Sequence, residues 1–364
     1  MPSPNRYFSD SYAQARERFL AAAAPLASHV QSYAIAPTGS QGEPLATDVA
    51  LIGDADAQRL LIMTSATHGV EGFCGSGCQL ALLDDAPMLE RARQAGVALL
   101  LVHAVNPYGF SWIARTDEDN VDLNRNAQPF DGGPLPANPG YGDIHDLLLP
   151  QTWPPTEQNR QAIARHIDEH GLAATTQAVS RGQYTHPDGL FYGGARHAPS
   201  LLNLRQILRT HASRHARIGW IDVHTGLGPR GHGEKIYAGR RDDVQVARAR
   251  QWWGSDLAVP YQGSSASVDI TGHLAGLIYD ACPASEPTLM ALEFGTLRWD
   301  EVVHALRGRN WLRAHPDAHD ALRRDILRAT KDAFYCGQED WHGMVLGQSR
   351  VAVLQALCGL EAAP

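Results

Sequence analysis

His68 and Glu71 stand three residues apart in a glycine-flanked turn, and His224, Glu293, Arg115 and Arg125 add further ligating or charged side chains. Two imidazoles and one carboxylate suit Zn2+ in a catalytic site, because they leave the fourth tetrahedral position open. One Zn2+ per chain is expected on His68, Glu71 and His224. Amide hydrolysis also needs a carboxylate that takes a proton from water and hands it to the leaving amine, and Glu293 can supply it. A cation must stabilise the oxyanion, for which Arg115 is the candidate. Arg125 offers a planar fork that matches a carboxylate.

Each piece alone has a plainer reading. His68 and Glu71 fit a turn histidine and a glutamate favoured by a helix N-terminus. His224 fits a core or strand-end histidine, Glu293 a salt-bridged strand-end carboxylate, and either arginine a solvated surface charge. What raises the set above its members is where the chain delivers them.

Short apolar runs at 60–66, 97–105, 218–223 and 289–292 read as buried strands, and 48–52 as an edge strand. Near-continuous hydrophobicity is what a parallel strand covered on both faces requires. Helical patterns occupy about 72–85, 87–95, 156–180, 199–215 and 243–257, and a C-terminal helical part, about 300–329, is expected to cover the sheet. The expected fold is α/β: one domain over 1–364, an open, mixed, mostly parallel sheet with helices on both faces. In such sheets ligands bind beyond the carboxyl ends of the strands. Four of the runs lead into the chemistry: His68 and Glu71 after the first, Arg115 and 122–126 after the second, His224 after the third, Glu293 after the fourth. Two stretches dense in proline and glycine, 126–155 and 183–199, read as long insertions near the mouth of the site.

Composition narrows the partners. A formal net charge of -8 argues against nucleic-acid binding. No uninterrupted apolar run approaches the roughly 20 residues of a membrane span. The N-terminus lacks a basic region followed by an apolar one, so no secretory signal is expected; the apolar stretch 19–27 suits a surface helix. Five cysteines, an odd number and few for 364 residues, point to a reduced, cytoplasmic protein. Cys74 and Cys78 read as packing residues, His103 as a core histidine, and Gly226, Gly228, Gly231 and Gly233 as a flexible loop.

The ordered set of His68 with Glu71, then Asn106, Pro107, Tyr108 and Gly109, then Arg115, then Asp122-Leu123-Asn124-Arg125-Asn126, then Asp222-Val223-His224, then Glu293 resembles the M14 zinc carboxypeptidase superfamily. It is most similar to the DUF2817 group of bacterial M14-type metallopeptidases, with likeness to the succinylglutamate desuccinylase and aspartoacylase branch. The resemblance spans roughly 50–300. It implies zinc on His68, Glu71 and His224, Glu293 as general base and acid, and Arg115 at the oxyanion. It further implies that Asn124 and Arg125 clamp the substrate's terminal carboxylate and that Asp122 orients His68. The tyrosine that many members fold over the substrate has no single counterpart, since Tyr237, Tyr261 and Tyr279 all lie between His224 and Glu293.

The expected function is release of a C-terminal amino acid from a peptide. The alternative is deacylation of an N-acyl amino acid on the same scaffold, and a third reading is a non-catalytic binding protein, which would not need Glu293. The expected partner is a peptide or N-acyl amino acid, not nucleic acid or membrane; a homo-oligomer is compatible with the sequence.

Overall fold

The apolar runs become the middle of one seven-stranded sheet in the order β1-β2-β4-β3-β5-β7-β6. The computed structural model describes residues 3–362. The strands are β1 (Ala27–Thr38), β2 (Pro44–Ile52), β3 (Arg59–Thr64), β4 (Val97–His103), β5 (Arg217–Arg230), β6 (Gly233–Tyr237) and β7 (Glu286–Gly295). The central four, β4, β3, β5 and β7, pair in parallel. The β1–β2 hairpin adds to β4 and β6 adds to β7, both by antiparallel pairing. The sheet is mixed and mostly parallel, as the sequence predicts.

Alternation along the central strands explains their uniform hydrophobicity. Leu61, Met63, Ile221, Val223, Met290 and Leu292 enter one core, and Leu60, Ile62, Ile218, Trp220 and Leu289 enter the other. The first core is closed by helices Gly72–Leu83, Ala86–Gln94, Asp243–Trp253 and Glu339–Ala362, the second by Pro199–His211 and Leu277–Ala281. Side-chain caps start several of these helices: Asp85 accepts from the Met88 N–H, and Asp242 from those of Val244 and Gln245.

Several expectations need correction. The run at 48–52 belongs to an interior strand, because β1 covers it. β1 escapes the pattern since its Ser, His and Gln residues leave it half exposed. The helix expected over 156–180 is two, Glu157–His170 and Leu172–Ser180, parted at Gly171, whose φ of 85° a helix cannot continue through. The stretch 126–155 contains a helix, Pro139–Leu148, and contributes no lining residue to the cleft described below. At the C-terminus, helices Trp299–Ala314 and Asp320–Phe334 are followed by Glu339–Ala362, and it is this last helix that fills the first core. By length and composition Glu339–Ala362 is long and apolar enough to cross a membrane, although polar residues interrupt its apolar run. Its Trp341, Val345, Val353, Leu357 and Leu360 are buried against the sheet.

Candidate active site

His224 and Glu293 are strand residues, facing each other in register on β5 and β7. Residues two apart on a strand share a face, so Asp222, His224 and Glu293 emerge on the side of Trp220 and Leu289. β3 lies on the other side of β5, and the chain leaving it reaches His68 and then Glu71 at the start of helix Gly72–Leu83. The loop after β4 packs directly on this turn. The N–H groups of Gly69 and Val70 donate to the carbonyls of Arg115 (3.2 Å) and Ala114 (2.9 Å). A Cβ on Gly69 would fall 2.2 Å from the Gly109 Cα, so the close approach requires glycine.

Three ligating groups converge there, all buried. His68 Nδ1 lies 2.8 Å from Glu71 Oε1, His224 Nδ1 lies 3.0 Å from Glu71 Oε2, and the two Nδ1 atoms are 3.3 Å apart. Among the described residues this is the one group of three such side chains close enough to hold a metal ion. The donor set fits a tetrahedral cation: metal–nitrogen bonds of about 2.0–2.1 Å put neighbouring ligand atoms roughly 3.3 Å apart. Both imidazoles are backed by carboxylates. His224 Nε2 is 2.7 Å from Asp222 Oδ2, and His68 Nε2 is 3.3 Å from Asp122 Oδ1. Asp222 also accepts from the hydroxyls of Thr64 (2.6 Å) and Thr67 (3.0 Å). Such partners fix ring orientation and raise ligand basicity.

The electrostatics follow from this crowding. Burial alone would raise Glu71, but His68 and His224 bring it down to about 2. Burial alone would lower His224, yet Asp222 and Glu71 hold it well above the ordinary histidine value. Glu293 has no cation bonded to it. Burial, and then the Glu71 carboxylate, push it up to about 8. Its Oε1 accepts from the Leu227 N–H at 3.0 Å.

Arg115 spans the two sides of the cradle. It donates to Asp122 (2.9 Å) and Glu71 (3.3 Å), and its Nη2 lies 2.8 Å from His68 Nε2. Arg125 is placed differently. Its Nε and Nη2 share the Ser180 carbonyl (3.2 and 2.6 Å), and Nη1 meets the Asn124 carbonyl at 3.0 Å. One hydrogen on each terminal nitrogen is left over. Burial lowers it to about 10, so it stays a cation at neutral pH. The ring of Phe191, from the stretch 183–199, faces both guanidinium groups at 5.0 and 5.5 Å.

His68, Arg115, Asn124, Arg125, His224 and Glu293 all line one cleft of about 850 Å3, the size of a small-molecule site. Glu71 and Asp122 sit just behind it. Of the three tyrosines, Tyr237 and Tyr261 line the cleft and Tyr279 does not. Sequence reasoning missed Phe191, the Ser180 carbonyl, His273 beside Arg125 and Asn124, and the part taken by Asp222. Only Asp222 left a signal: a strand residue two before a ligating histidine shares its face.

A family model described as "Protein of unknown function (DUF2817)" matches residues 8–348. No curated protein matches the sequence. Solved structures that are similar include carboxypeptidase A from Helicoverpa armigera, 14% identical, covering 88% of this chain and 73% of that one with a TM-score of 0.43. A metallo-carboxypeptidase from Burkholderia cenocepacia is 11% identical, covering 85% and 70% with a TM-score of 0.42. A succinylglutamate desuccinylase from Silicibacter sp. TM1040 is 16% identical, covering 78% and 65% with a TM-score of 0.39.

Proposed function

The chain belongs to the DUF2817 family, and for this member we propose zinc-dependent hydrolysis of an amide bond next to a free carboxylate, carried by one catalytic domain. One observation supports this most: the His68–Glu71–His224 cradle, the unpaired acid Glu293 and the carboxylate-free guanidinium of Arg125 open into the same cleft. Zn2+, when bound, would supply Lewis acidity and a positive charge beside Glu293 that offsets the push of burial and of Glu71 and leaves its carboxylate ionised to act as a base.

The remaining work falls to the chain's own side chains. Glu293, steadied through Oε1 by the Leu227 N–H, keeps Oε2 free to take a proton from the attacking water and return it to the leaving amine. Arg115 lines the cleft beside the cradle, where its charge would stabilise the developing oxyanion. Arg125 and Asn124 bind the carboxylate of the residue released. Asp122 and Asp222 hold the two imidazoles in orientation.

The substrate is a peptide with a free C-terminus. N-acyl amino acids, which carry the same amide bond beside a free carboxylate, are the second reading. The test is elemental analysis of protein purified without chelator, followed by a panel of dipeptides, longer peptides and N-acyl amino acids with added Zn2+ and with chelator. Chelator-sensitive cleavage with stoichiometric zinc is expected. Metal-independent cleavage, or none on any panel member, would refute the proposal.

A further inference from the structure

Beyond Arg125 and Asn124, the wall of the cleft carries a histidine for which the mechanism above has no task. His273 is half-buried, lines the cleft, and directly precedes the one-turn helix Leu274–Gly276. The segment is pressed onto the backbone of Arg125. Gly272 has a φ of 69°, a Cβ there would lie 2.1 Å from the Arg125 carbonyl oxygen, and its own carbonyl accepts from the Ala127 N–H at 3.1 Å.

Two successive N–H groups of this segment each settle an ambiguity. The Leu274 N–H donates to Asn124 Oδ1 at 2.9 Å. That fixes the amide so that its NH2 is the free end. The Ala275 N–H donates to His273 Nδ1 at 3.1 Å. A neutral imidazole whose Nδ1 accepts must carry its proton on Nε2. Burial pushes His273 down to about 4, so the ring is neutral at ordinary pH. Among the described residues neither Asn124 Nδ2 nor His273 Nε2 has a hydrogen-bond partner, and both residues line the cleft with Arg125.

We propose that His273 is a third, neutral donor of the carboxylate receptor formed by Arg125 and Asn124, and that it helps determine which substrates the cleft accepts. This rests on the receptor reading above but not on any turnover. All three residues have their acceptors, if any, turned away or already used, so what they leave for the cleft is N–H alone. Such a surface selects a group with several lone pairs and a negative charge over an amide, which brings donors of its own.

The experiment titrates N-acetyl-phenylalanine, N-acetyl-glutamate and N-acetyl-arginine, each with its primary amide, onto the full-length chain by calorimetry, with turnover followed separately. The wild type should prefer each acid that binds to its amide. His273→Leu should weaken acid binding about tenfold or more, the loss of one hydrogen bond to a charged group, and amide binding less than about twofold. His273→Gln, whose amide NH2 reaches the position of Nε2–H, should recover most of the affinity; His273→Asn should not. Nitrogen-15 spectra of the wild-type imidazole at neutral pH should show the Nε2–H form. A protonated Nδ1, or equal losses for acid and amide, would overturn the proposal. If no acid is preferred even by the wild type, the receptor itself is wrong; if acid preference depends on His273 but no substrate is cleaved, the hydrolase reading alone falls.

Discussion

At the His68–His224 end of the cleft each imidazole has a carboxylate behind it, and at the Arg125 end the guanidinium hydrogen-bonds only to carbonyl oxygens. Both clusters bury charge, which is costly unless the charge is paired or hydrogen-bonded. The first meets that cost with Glu71, Asp122 and Asp222, so its excess is negative and it suits a cation. The second meets it with the neutral acceptors of Ser180 and Asn124, so its positive charge is solvated but not neutralised and it suits an anion. The difference shows how one cleft can address two ends of a substrate: the charge that each region leaves unpaired defines its ligand.

The comparison breaks most completely if a ligand is removed. His224→Ala and His68→Ala should each lose nearly all bound zinc and nearly all turnover, read by elemental analysis and by assay; stoichiometric zinc in both would show the cradle to be misassigned. Next in size, Glu293→Gln should keep its zinc and lose a factor of about 10²–10⁴ in kcat. Near-normal kcat in the metal-replete variant would remove Glu293 from the chemistry.

The anion-seeking end is tested by Arg125→Ala. Losing a buried charged partner costs roughly 2–5 kcal/mol, so kcat/KM should fall by about 30-fold to several thousand-fold for substrates with a free carboxylate. Amidated substrates should lose far less. Equal losses would make Arg125 a structural residue. A subtler change sharpens the other end: Asp222→Asn should weaken zinc binding by about 10–100-fold, measured by competition with a chelator. Because Asp222 and Glu71 raise His224, zinc must displace a proton from it, so wild-type zinc affinity should rise with pH and the variant should show a shallower dependence.

The smallest effect concerns Asp117, a buried carboxylate near Arg115 with no cation bonded to it. Its Oδ1 accepts from the N–H groups of Asp119 (3.0 Å) and Val121 (2.8 Å), and burial pushes it up to about 7. The folded value lies above the unfolded one, so its contribution to stability is fully present below about pH 4 and is lost as pH rises to about 7. The loss is at most ~4 kcal/mol. Asp117→Asn keeps the acceptor and should flatten chemical-denaturation stability across that window; an unchanged slope would show that Asp117 is not the titrating group.

The parts of the site legible in the sequence are those set by local spacing or by strand ends. His68 and Glu71 announce themselves three apart, and the apolar runs point to where His224 and Glu293 emerge. The illegible parts depend on tertiary approach. The Ser180 carbonyl is a backbone atom with no residue-type signature, and His273 gains its meaning from the Ala275 N–H and from a segment folded back on Arg125. The fold divides the same way: the central parallel strands are read from hydrophobicity, whereas β1 and β6, exposed or short, give no period to read.

The contact between Gly69 and Gly109 bears on how such a site can be transplanted or varied. The turn with His68 and Glu71 and the loop with Arg115 touch backbone to backbone and share two hydrogen bonds. A side chain on Gly69 would run into the Gly109 backbone, and one on Gly109 into the Ala114 and Thr116 carbonyls of its own loop. The two stretches therefore form a single inheritable module although about 40 residues of sequence lie between them. An attempt to graft the His68–Glu71 turn alone onto another sheet would leave its geometry unsupported, whereas moving both stretches together with β3 and β4 would carry the scaffold along with these side chains.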